Sequence, residues 1–190
     1  IFDFDGVIAD SVKIKDSIFY EIFVNDSEAI AKKSLIFHTK NQGKNRYYKI
    51  DKILSKYLSN KIVLKKDYYT NFEKIFLKKV STIKITPYLK KFLKKYFKNK
   101  KFIINSAAPK AEIINFLNNN NLINFFEKIY GSENNKDKNF KNILRKIDYK
   151  HAIYFGDLEN DLKLSNKYNI DFCGLNLKYK KKLIKNNLTY

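Results

Sequence analysis

From Pro87 onward the chain alternates short apolar stretches with stretches of helical period, and few folds accept that order. A helix is expected over 88–97, then a strand over 101–105 and a helix over 109–118. A short strand at 128–130 precedes a helix over 138–147, and a strand at 152–155 precedes a helix over 160–168. The series closes with a strand at 171–175 and a basic helix over 180–187. Strands separated by helices pair in parallel, because each helix carries the chain back across a sheet face. Ile1 to Phe4 reads as the end of a further strand. Between these parts, 12–82 holds apolar residues at helical spacing with no strong breaker. Ile14, Ile18, Phe19, Ile22 and Phe23 form one such stripe within a helix expected over 12–33, and 45–58 and 65–80 form others. The expected fold class is therefore α/β, with a parallel-sheet core from 1–11 and 83–190 and an inserted helical domain over 12–82.

In such sheets chemistry collects beyond the carboxyl ends of the strands. Asp3 and Asp5 stand two residues apart where the first strand runs out, and Gly6 then allows a sharp turn. Asp-Gly is ordinary turn chemistry, but Asp3 interrupts an apolar strand, and two crowded carboxylates cost energy without a cation or a proton. After the strand at 101–105 comes Ser106-Ala107-Ala108-Pro109, either a helix cap or a hydroxyl placed to bind phosphate. After 128–130 comes Gly131-Ser132-Glu133-Asn134-Asn135-Lys136-Asp137-Lys138, whose lysines by themselves read as solvated surface. After 152–155 comes Gly156-Asp157-Leu158-Glu159-Asn160-Asp161, an acidic cluster in a basic chain. Its acids would also suit the positive end of a helix dipole. A metal-assisted carboxylate site is the reading that the Asp3–Asp5 stretch supports.

The formal net charge of +20 admits a nucleic-acid partner. Lysine and asparagine are spread along the whole length, however, and lysine far exceeds arginine, which reads as compositional bias more than a recognition stripe. A nucleic-acid role is accordingly not expected, although the field would draw anionic substrates such as phosphate esters. The single cysteine, Cys173, cannot form an internal disulfide, and no apolar run approaches the roughly 20 residues of a membrane helix. A cytoplasmic protein without a membrane partner is expected. The sequence opens at Ile1 inside an apparent strand and has no methionine, so the natural start is expected to lie outside it.

Taken together, Asp3-Phe4-Asp5-Gly6-Val7 with Asp10-Ser11, then Ser106, then Lys136, then Gly156-Asp157-x-x-x-Asp161 resemble, in order, the four motifs of the haloacid dehalogenase-like (HAD) hydrolase superfamily. The resemblance covers 1–11 and about 86–175. It implies a Rossmann-like core with helices on both faces of the sheet, and an inserted α-helical cap of the C1 type. It implies a phosphatase acting on a small phosphorylated metabolite, with Mg²⁺ as cofactor. Asp3 would be the nucleophile and Asp5 the acid and base. Ser106, the Ala107 N–H and Lys136, with Lys138 as the alternative lysine, would hold the phosphoryl group. Asp3, Asp157, Asp161 and the Asp5 carbonyl would serve the metal. An Asp at position 5 separates phosphoryl transfer from the dehalogenase branch.

Within the helical domain, 37–46 breaks helical periodicity and concentrates polar groups, resembling a cap segment of phosphoglycolate-phosphatase-like members. That likeness implies that His38, Arg46 and Lys49 face the substrate; a polar loop is the alternative. Other readings are a phosphomutase resembling β-phosphoglucomutase and, from another class, a basic nucleic-acid-binding or end-processing protein. The residues do not specify an oligomeric state.

Overall fold

A computed structural model describes residues 1–59, 64–147 and 151–175. The helix expected over 180–187 lies outside the described residues. The chain divides into two compact units, Ser11–Lys84 and Ile1–Asp10 together with the chain from Ile85 onward.

Ser11–Lys84 is built from α1 (Val12–Glu21), α2 (Glu28–Lys40), α3 (Arg46–Tyr57) and α4 (Lys65–Lys79), with a 3-10 turn at Val80–Thr82. The single helix expected over 12–33 is two. Ser27, in extended conformation, accepts a hydrogen bond from the Ile30 N–H and starts α2. The apolar stripe hid this break because Ile22 and Phe23 continue it into the turn. Helix α2 in turn runs on to Lys40, so His38 is helical where a break in helical period was expected. Asn45 caps α3 by accepting from the Tyr47 N–H at 2.8 Å. Ser11, at the start of α1, is buried and makes no side-chain cap bond to the helix. The unit's interior is aromatic: Phe19 meets Phe72 edge-on at 5.3 Å and Phe23 stacks on Tyr68 at 5.1 Å.

In the second unit, α5 (Leu89–Tyr96) precedes β1 (Phe102–Asn105), α6 (Lys110–Asn119), β2 (Phe126–Tyr130), α7 (Lys136–Leu144), β3 (Ile153–Gly156), α8 (Glu159–Lys167) and β4 (Asp171–Gly174). β1 pairs in parallel with β2, and β3 with β4. The N-terminal segment joins the two pairs. Phe2 N–H donates to Ile103 O at 2.8 Å on one side, and Asp3 N–H donates to Phe155 O at 2.9 Å on the other. The order across the sheet is thus β2, β1, the Ile1–Phe4 segment, β3, β4, all parallel. From the central segment the chain moves toward β1, and from β3 it moves toward β4. That divergence is the switch point at which parallel sheets open a crevice.

Side-chain alternation sets two cores on opposite faces. Phe2 stacks on Phe155 at 4.6 Å and meets Phe92 of α5 and Phe102 edge-on. On the other face Ile1, Ile103 and Tyr154 pack with Phe140 and Ile143 of α7 and Leu164 of α8. Asp3 shares the parity of Ile1, so it points to the α7–α8 face.

Candidate active site

Asp3 is 3% exposed at the end of the central segment, a poor environment for a charge unless partners are supplied. Its Oδ1 accepts from the Phe4 N–H at 2.7 Å and its Oδ2 lies 2.7 Å from Lys136 Nζ. The same ammonium is 2.8 Å from Asp161 Oδ1. Lys136 occupies the first turn of α7, which begins two residues earlier than the periodicity suggested, with Asn135 as its cap. A cation at a helix N-terminus opposes the dipole, so the two carboxylates hold it there against that preference. Lys138 is exposed, and its N–H is engaged by the Asn135 cap.

Asp161 comes from the first turn of α8. Its Oδ2 accepts from the Leu158 N–H at 3.3 Å, the back-bonding half of a capping box, so the helix-start role and the site role coexist in one side chain. Gly156 makes room for it: a Cβ there would lie 2.5 Å from Asp161 Cβ. Carboxylate oxygens of Asp3, Asp157 and Asp161 lie within 4.8 Å of one another. Asp5, half-buried, stands just beyond, on a tight turn. There Gly6, at φ 76°, donates its N–H to Ala9 O at 2.8 Å, a backbone that disfavours a side chain. Asp10 is exposed.

Ser106, 1% exposed, follows β1. Its N–H bonds Tyr130 O at 3.0 Å, and its Oγ accepts from the Ala108 N–H at 3.1 Å, an intraloop bond where a cap of α6 was the alternative. Ala107 is half-buried beside it.

The electrostatics follow from this geometry. Burial, with Asp161 and Asp5 adding to it and Lys136 opposing it, pushes Asp3 up to about 7. Burial and the neighbouring Asp3 and Asp161 carboxylates push Asp157 up to about 8. Burial works against the Lys136 ammonium, but Asp161 and Asp3 override it and hold its pKa well above the ordinary range. One lysine among three carboxylates leaves an excess of two negative charges in a buried site if all ionise.

His38, Arg46 and Lys49 are brought together elsewhere, inside the helical unit. They are buried, on α2 and α3. His38 stacks on Phe19 at 4.0 Å, with its Nε2 3.1 Å from Asp16 Oδ1. Lys49 Nζ lies over the Phe19 ring, 4.9 Å from its centroid, and Arg46 Cζ over the Phe72 ring at 4.5 Å.

Two supporting residues escaped the sequence reading. Tyr154 donates its hydroxyl to Asp161 Oδ1 at 2.9 Å, and Asn105 Nδ2 donates to the Lys136 carbonyl at 3.1 Å. The available signal was a polar atom inside each apolar strand.

A family model for haloacid dehalogenase-like hydrolases matches residues 1–175, and the chain belongs to that family of hydrolytic enzymes. No curated protein matches. Among solved structures, a predicted phosphatase from Clostridium acetobutylicum is similar at 19% identity and TM-score 0.67, over 91% of this chain and 82% of that one. A predicted phosphoglycolate phosphatase from Haemophilus somnus 129pt is similar at 14% identity and TM-score 0.71, with the same coverage of 91% and 82%. A Thermotoga maritima protein assigned as a β-phosphoglucomutase is similar at 14% identity and TM-score 0.67, again over 91% and 82%. At these identities the likeness is one of fold. No helix among the described residues is long and apolar enough to cross a membrane.

Proposed function

We propose that this hydrolase cleaves a small phosphomonoester through an aspartyl-phosphate on Asp3, with Mg²⁺ as cofactor. The observation that carries the reading is a buried Asp3 held by Lys136 within a three-carboxylate cluster at the switch point. The donor set suits the metal: the oxygens are hard, three carboxylates face one lysine, and Asp157 Oδ1 is buried with no hydrogen-bond partner. Asp3, Asp157 and the Asp5 carbonyl would hold Mg²⁺, with Asp161 in contact or through water. When bound, the ion screens the repulsion between a carboxylate nucleophile and a phosphate dianion.

The chain's own groups then divide the work. An Asp3 carboxylate oxygen forms a bond to phosphorus as the ester P–O bond breaks. Asp5, protonated, gives its proton to the departing alkoxide. As carboxylate it then takes a proton from the water that attacks the aspartyl-phosphate, releasing inorganic phosphate and restoring Asp3. Ser106 Oγ, the Ala107 N–H and Lys136 Nζ orient the phosphoryl oxygens and offset their growing charge.

The test is phosphate release from a panel of small phosphomonoesters with Mg²⁺ and with EDTA. Turnover that requires the metal supports the reading. An aspartyl-phosphate that accumulates and returns to a sugar hydroxyl replaces it with a phosphomutase. No turnover and no phosphoenzyme overturns both.

A further inference from the structure

The hydrogen bonds beneath the carboxylate cluster sort its members. Asp161 Oδ1 already accepts from two donors, Lys136 Nζ at 2.8 Å and the Tyr154 hydroxyl at 2.9 Å, which fills the lone-pair directions of that oxygen. Its Oδ2 takes the Leu158 N–H. Asp157 Oδ1, in contrast, is buried without a partner. Tyr154 is fully buried in β3, and its ring packs edge-on against Phe140 at 5.0 Å and Phe172 at 6.3 Å. A phenylalanine would make those ring contacts equally well, so the hydroxyl answers to Asp161 alone. Lys136 presents its ammonium on a flexible four-carbon stem from a helix end that repels it. Its position therefore depends on how firmly its carboxylate partners are held. A rigid phenol on a strand supplies that firmness to Asp161.

We propose that Tyr154 is a positioning residue for the phosphatase reaction. Its hydroxyl commits Asp161 to holding Lys136 against Asp3, and leaves Asp3 and Asp157 as the acids open to a divalent cation. The inference rests on the phosphatase reading for its chemistry but not for its test.

Tyr154→Phe removes one oxygen and keeps the ring. Loss of such a supporting partner is expected to lower kcat by about 10- to 100-fold, with KM changed far less. Two readouts need no turnover. In substrate-free protein, reductive methylation of Lys136 followed by mass spectrometry should become several-fold faster, with Lys138 and Lys141 unchanged. The Mg²⁺ dissociation constant measured by calorimetry should stay within about twofold, below the 10-fold change expected for loss of metal support. Unchanged Lys136 labelling overturns the proposal, as does Mg²⁺ affinity falling in step with kcat, which would make Asp161 a direct ligand of the ion in place of a water-mediated neighbour. If wild-type protein hydrolyses no phosphomonoester, the phosphatase reading fails while labelling and calorimetry still decide the role of Tyr154. Should Tyr154→Phe not fold, Asp161→Asn replaces it: faster Lys136 labelling with Mg²⁺ binding retained supports the assignment, and loss of Mg²⁺ binding overturns it.

Discussion

The two units bury charge in opposite ways. The sheet unit gathers three carboxylates and ties two of them, Asp3 and Asp161, to one lysine by short, charge-assisted contacts, while Asp157 Oδ1 stays buried without a hydrogen-bond partner. The helical unit buries His38, Arg46 and Lys49 against aromatic faces, where ring quadrupoles and the nearby Asp16 offset the cost. Three carboxylates gathered at strand ends form a donor set of the kind a cation takes. The Arg46 and Lys49 cations are tolerated by their ring contacts, whereas burial keeps His38 neutral.

Four experiments would break or sharpen that contrast. Asp3→Asn should lower phosphate release on the order of 10³-fold or more, as removal of a nucleophile does, with folding retained by circular dichroism. A loss under 10-fold would remove Asp3 from the chemistry.

Lys136→Met leaves the carboxylates without their cation. Urea unfolding in EDTA at pH 7 should show a loss of about 3–5 kcal/mol, the usual cost of breaking a buried pair. A loss below about 1 kcal/mol would show that the acids discharge themselves by protonation.

His38 tests the helical unit. Burial, with Asp16 opposing and Lys49 adding, lowers its pKa from 6.5 to about 4. The unfolded chain therefore binds the proton first, so the contribution is complete above pH 6.5 and is lost as pH falls toward 4. The expected loss is about 3 kcal/mol, and His38→Gln should flatten that part of the stability–pH curve. Identical curves for the two proteins would place a charged histidine in the core.

The smallest effect is ion binding without substrate. Millimolar Mg²⁺ should raise the melting temperature by a few degrees, through linkage to the folded state, and EDTA should reverse it. Asp157→Asn should abolish the shift. A shift that survives it would move the cation away from Asp157 Oδ1.

Much of this was readable from residues. The alternation after Pro87 gave the parallel strands, and Asp3, Asp157 and Asp161 stood out as acids at the expected strand ends, whereas Lys136 was singled out only by the resemblance to the family motifs. The helical unit was less legible. The break at 22–27 was invisible because Ile22 and Phe23 continue the stripe. His38 looked like loop because polar neighbours masked a helix that runs to Lys40. Tyr154 and Asn105 gave no signal beyond polarity, since a strand tyrosine usually reads as core.

Local pattern alone determined that this chain alternates strand and helix and that acids end its strands, because periodicity and side-chain burial are properties of neighbouring residues. Which lysine serves the site, and which acids it serves, was decided only in three dimensions. Lys136, Asp3 and Asp161 lie on separate elements, and the crossing of the sheet order at the central segment brings the Lys136 ammonium within 3 Å of both carboxylates.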